Sequence, residues 1–123
     1  MKNKKNFKER FKFFKNKIEG TPFYYFDIEC GEGWSDLLWK LCEGIEEEIK
    51  KSNIEDFCVT QIKEKFGGLR FYFVNGNDKI RELINKAEDD SFEVCELCGA
   101  EGKLKKINGW FSTLCEKCRR KDD

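Results

Sequence analysis

Apolar residues recur at helical spacing in three stretches of the chain and alternate with polar ones in a fourth. In residues 3–18, Phe7, Phe11, Phe14 and Ile18 fall four, three and four apart, one stripe of an amphipathic helix that Gly20 and Thr21-Pro22 would end. The run Phe23 to Ile28 has the aromatic composition of a strand, and Cys30-Gly31-Glu32-Gly33 reads as a turn. A second helix is predicted from Ser35 to Lys51, its stripe being Leu37, Leu38, Leu41, Ile45 and Ile49, with Ser35 or Asp36 as its cap. A third runs from Asp78 to Ser91, with Ile80, Leu83, Ile84 and Ala87 inward and Asp78 as its cap.

Between these helices, residues 57–74 hold two β-rich runs around Gly67-Gly68, the signal of a two-residue hairpin loop. Pairing Phe66 with Leu69 sets the register, and the period of two then sorts the side chains. Ile62, Phe66, Leu69, Phe71 and Phe73 take one face, interrupted by Glu64, and should pack on the helices. Gln61, Lys63, Lys65, Arg70 and Tyr72 take the other, which should be wet. The expected fold class is therefore α+β, a small antiparallel sheet packed by helices.

Cysteine spacing adds a module to that fold. Cys95, Cys98, Cys115 and Cys118 form C-x2-C-x16-C-x2-C, the spacing of a four-thiolate zinc site. Each C-x2-C turn aims two sulfurs at one metal, and Gly99 suits the positive φ such turns require. Four thiolates leave no open position for water or substrate, so one structural Zn²⁺ is expected, in a zinc ribbon or treble-clef-like unit. The chain then divides into a basic N-terminal helix (1–20), an α+β core (21–94) and a zinc module (95–123).

The chain has no His, which excludes His-based triads and mixed Cys/His zinc sites. Cys42 and Cys58 fall at core positions, and Cys30, with no His to activate it, is a poor nucleophile. Asp27, Glu29, Glu32 and Asp36 cluster near the Cys30 turn and are a conceivable divalent-cation site. Asp56 with Gln61-x-Lys63 loosely echoes a nuclease core, but Gly67-Gly68 follows too soon for that strand order. No catalytic set emerges, and a non-enzymatic protein is expected.

Charge points to surfaces. The 123-residue chain has no net charge, yet residues 1–17 total +7, residues 18–94 total −9 and residues 95–123 total +2. An acidic middle argues against a general polyanion binder and leaves local basic faces. The candidates are Gln61, Lys63, Lys65, Arg70 and Tyr72 on the hairpin, and Lys8, Lys12 and Lys15 on the first helix. Seven Cys with neither a signal-peptide core nor a membrane-length apolar run imply a reducing compartment, hence the cytoplasm.

Three strings together resemble a family of small phage and prophage zinc-ribbon proteins over roughly residues 26–118. They are Glu29-Cys30-Gly31-Glu32-Gly33-Trp34, then Gln61 to Tyr72 (QIKEKFGGLRFY), then the paired C-x2-C motifs with Gly99, Gly109-Trp110 and Thr113-Leu114. Where many members have a His near the second ligand pair, Cys118 here completes an all-Cys set, and the basic N-terminal helix lies outside the shared part. The resemblance implies a mobile-element setting in a bacterial host and leaves the chemistry open. The expected partner is a host protein or ribonucleoprotein, most concretely a defence effector such as a CRISPR nuclease that the chain would inhibit. Direct DNA or RNA binding is the alternative, and a metal-dependent nuclease a more distant one; no membrane partner is implied.

Overall fold

In the computed structural model, which describes residues 4–14 and 28–121, the β-rich run forms the central hairpin, β2 (Cys58–Lys65) and β3 (Gly68–Val74). A two-residue strand, β1 (Ile28–Glu29), joins β2 in parallel, pairing Ile28 with Ile62 and Glu29 with Lys63. Helix α2 (Ser35–Ser52) precedes the hairpin and α3 (Asp78–Asp90) follows it; both contribute to one core with Ile28, Ile62, Leu69 and Phe71. This is a mixed α+β fold with small sheets.

The hairpin keeps the expected faces but not the expected turn. Lys65 pairs with Gly68 and Lys63 with Arg70, so the loop is Phe66-Gly67, at φ 54° and 83°. The register differs by two residues, which preserves parity; Ile62, Leu69 and Phe71 remain inside. Phe66, expected in the core, instead takes a left-handed turn position and is 63% exposed. Gly67 supplies the positive φ of the turn, held by the Glu64 carboxylate accepting from its N–H at 2.7 Å. Gly68 is glycine for another reason: a Cβ there would overlap the Phe92 ring. A bulge between Val59 and Gln61 shifts the alternation, so that Val59 and Ile62, three residues apart, both join the core.

The first helix is shorter than its stripe. Helix α1 (Lys4–Arg10) is followed by a single 3-10 turn, Lys12–Phe14. The tighter turn brings adjacent Phe13 and Phe14 both inward, which one α-helical stripe could not do. The rings of Phe7 and Phe11 meet Trp39 of α2 edge-on at 5.2 and 5.0 Å, and Phe11 stacks on Phe13 at 5.5 Å. Arg10 and Glu46 form a two-armed ion pair, 2.8 and 3.0 Å, between α1 and α2. Ile18, Lys15 and the strand expected at 23–27 fall outside the described residues.

Two caps also differ. Helix α2 is entered through a 3-10 turn, Glu32–Trp34, and no side chain caps it, so neither Ser35 nor Asp36 has that role. It ends on Asn53 in the left-handed region, φ 51°. Helix α3 is capped by Asn77 rather than Asp78: Asn77 Oδ1 accepts from Ile80 N–H at 2.9 Å, and its Nδ2 donates to Glu48 of α2 at 2.9 Å. Asn77→Ala should lower stability by about 1 kcal/mol, and Asp78→Ala by less. Equal losses for the two variants in urea unfolding would return the cap to Asp78.

Behind α3, a 3-10 turn (Ser91–Glu93) leads into the cysteine-bearing region. Strands β4 (Lys103–Ile107) and β5 (Trp110–Leu114) form a second hairpin whose Asn108-Gly109 loop has φ 53° and 83°. A short helix, α4 (Glu116–Lys121), closes the order. No described helix is long and apolar enough to cross a membrane.

Candidate metal centre and binding surface

Cys95 and Cys98 sit on a tight loop before β4; Cys115 follows β5, and Cys118 lies in the first turn of α4. The loop is closed by backbone bonds, Gly99 N–H to Cys95 O at 2.9 Å and Cys95 N–H to Ala100 O at 2.7 Å, with Gly99 at φ 84° as the spacing predicts. The four sulfurs lie within 4.8 Å of one another, and Cys98 and Cys115 are 3.6 Å apart. A tetrahedral zinc with Zn–S of about 2.3 Å separates its sulfurs by about 3.8 Å, so this donor set fits one metal ion and is consistent with zinc. Among the described residues it is the one group of His, Cys, Asp and Glu so arranged.

The electrostatics suit a cation. Burial pushes the Cys95 thiol up, but backbone N–H groups of Cys115, Cys98 and Leu97 outweigh it and bring it down to about 6. Cys115 is also lowered, first by the Cys118 N–H, which reaches its sulfur at 3.4 Å. Cys118 is pushed up to about 12, chiefly by its hydrogen bond with Cys115. One sulfur of each pair thus favours the thiolate, and full ionisation of all four needs a positive charge in their midst.

What holds this region to the core explains the glycines of the sequence motifs. Gly33 N–H donates to Glu96 O at 2.7 Å, Gly31 N–H to the Glu96 carboxylate at 2.8 Å, and Trp34 Nε1–H to Val94 O at 2.8 Å. A Cβ on Gly33 would overlap the carbonyl oxygen of Cys95, and one on Gly31 that of Glu96. The second motif docks as well: Thr113 donates its hydroxyl to Gly67 O at 2.7 Å, and a Cβ on Gly67 would overlap Leu104. Both glycine-bearing strings therefore press against the cysteine loop and its hairpin.

Of the expected binding residues, Lys63 and Arg70 face each other across β2 and β3, as do Gln61 and Tyr72. That face is half-buried rather than open; Gln61, Lys63 and Arg70 are partly covered, Lys65 and Tyr72 are exposed, and Phe92 overlies its Gly68 end. Glu29 sits next to Lys63, so the face is not purely basic. Lys8 is half-buried on α1, and Lys12 is exposed on the following turn, which packs against β2. Of the acidic cluster, Glu29, Glu32 and Asp36 are exposed and form no metal-compatible group, while Asp27 lies outside the described residues. Cys30, Cys42 and Cys58 are buried, and burial pushes up the thiols of Cys42 and Cys58.

Sequence reasoning missed the exposed rings. Trp110 is 79% exposed and Phe111 38%, the latter meeting Phe66 edge-on at 6.2 Å across the two hairpins. Lys103, Lys105 and Lys106 are exposed on β4 beside them. The signal was present as a Lys-rich strand running into Asn108-Gly109-Trp110-Phe111, a hairpin pattern with no apolar face. No family model, curated protein or solved structure matches the chain.

Proposed function

We propose that the tetrad holds one structural Zn²⁺ and that the chain is a non-enzymatic binding protein of phage or mobile-element type. Its target is a host nucleic-acid machine in the bacterial cytoplasm, and the most concrete form is inhibition of a defence effector such as a CRISPR nuclease. The order cysteine loop, hairpin, helix favours the treble-clef form of the module over a plain ribbon, because α4 carries the fourth sulfur. One observation carries the functional reading: rings and cations stand exposed on two hairpins that the cysteine module fixes to each other. A rigid surface of that kind suits recognition, where ordering costs are kept low.

The test is capture from host cells with the zinc-loaded full chain, followed by an assay of any captured effector. Enrichment of a nucleic-acid-processing complex whose cleavage falls on adding the protein is the expected result. Recovery of no such complex, or undiminished cleavage by the one recovered, overturns the proposal.

A further inference from the structure

We infer that the two hairpins together form a binding site for single-stranded nucleic acid, an inference that rests on the reading of the chain as a binding protein and names what its surface would hold. Charge is segregated by element. Glu29 of β1 lies beside Lys63, and strands β2 to β5 carry six cations, Lys63, Lys65, Arg70, Lys103, Lys105 and Lys106, against one acid, Glu64. That one carboxylate is engaged by the Gly67 N–H. Helices α2 and α3 each carry five acids and three cations, so the acidic character of the chain lies on them. The ion pairs among the described residues, Arg10–Glu46 and Lys86–Asp90, involve none of the strand cations.

The rings give the second half of the argument. Phe66, Tyr72, Trp110 and Phe111 are all exposed, and three have a lysine over them: Lys65 on Phe66 at 5.6 Å, Lys63 on Tyr72 at 5.9 Å and Lys106 on Phe111 at 5.3 Å. Phe66 cannot fold away, because its turn is fixed by Glu64 and its ring is braced by Phe111. Rings with a cation beside them let bases stack while phosphates pair with charge. A duplex hides its base faces from such rings, and protein interfaces are depleted in lysine, which supplies five of these six cations. The combination selects a single strand.

The experiment is fluorescence anisotropy of a labelled oligothymidylate of about 15 nucleotides against the zinc-loaded full chain, with a duplex of equal length beside it. The single strand should bind more tightly than the duplex. Its affinity should fall about a hundredfold between about 50 and about 200 mM salt if some five phosphates are neutralised. Trp110→Ser and Phe66→Asn should each weaken it by about fivefold to a hundredfold. Both rings are exposed, and Asn suits the left-handed turn position, so the fold should persist, as circular dichroism checks. Lys86→Ala on α3 should change nothing. Equal or tighter duplex binding, unchanged affinity in both ring variants, or no binding to either probe overturns the inference. A captured host complex that survives nuclease digestion, with no oligonucleotide binding, sinks this inference and leaves the host-machine reading standing. Oligonucleotide binding with no complex captured does the reverse.

Discussion

Stripping the metal from the full chain is expected to release residues 94–121 while α2, α3 and the β2–β3 hairpin stay folded. Within 95–120 the buried residues are Cys95, Gly102, Thr113 and Leu114, far too little apolar surface to hold a hairpin and a helix in place. Structural zinc contributes on the order of 10 kcal/mol in small cysteine modules, well above the roughly 1 kcal/mol of a single hydrogen bond. The core, by contrast, has Phe7, Phe11, Phe14, Trp34, Ile45, Ile62, Phe71 and Ile84 buried in one cluster. Native mass spectrometry should find one zinc per chain. After chelation, hydrogen exchange should accelerate across 103–114 and in the Gly31–Trp34 segment that hangs on Val94 and Glu96, with little change in α2. Cys115→Ser should reproduce the pattern. Persistent protection of 103–114 in a chain proven metal-free would show that packing alone holds the module.

The second large effect is steric. Gly33→Ala should cost about 3 kcal/mol or more, because the added methyl meets the backbone of Cys95 and Glu96 rather than a side chain that can swing away. The Gly33–Glu96 hydrogen bond would be lost in making room. Gly109→Ala makes the useful contrast. That residue has φ 83° and nothing within 4 Å of an added Cβ, so only the left-handed penalty of about 1–2 kcal/mol applies. Urea unfolding of the two variants should rank them clearly. Similar losses would mean that the cysteine loop yields easily and that the glycine at 33 is a matter of conformation alone.

How much of this was legible beforehand varies from residue to residue. The cysteine tetrad was visible because ligand spacing is local, two residues within each pair, and needs no knowledge of packing. Helices α2 and α3 announced themselves through long periodic stripes, and the inner and outer faces of the hairpin followed from parity. The turn did not. Gly67-Gly68 offers two residues fit for positive φ, and only the presence of Phe92 against Gly68 shows why the loop moves back onto Phe66. Nothing in the sequence near Arg10 marks the end of α1 either; the turn that follows seats Phe13 against the Phe57 ring, a partner 44 positions away. The roles of Gly31 and Gly33 were equally hidden, since their contacts lie about sixty residues downstream.

The outward N–H groups of Leu69 and Phe71 on β3 are bonded to the Ser91 hydroxyl and the Glu88 carboxylate, each at 2.9 Å. Sheet borders ordinarily invite another chain to extend them, whether a recruited peptide, a second copy or a growing aggregate. On this border both donors are already taken by side chains from the same molecule. An incoming strand would have to displace a charged carboxylate and a hydroxyl that itself donates to Glu88 O at 2.6 Å. Along Leu69–Phe71, therefore, this protein resists lateral growth, and whatever it recognises must be met by side chains rather than by backbone.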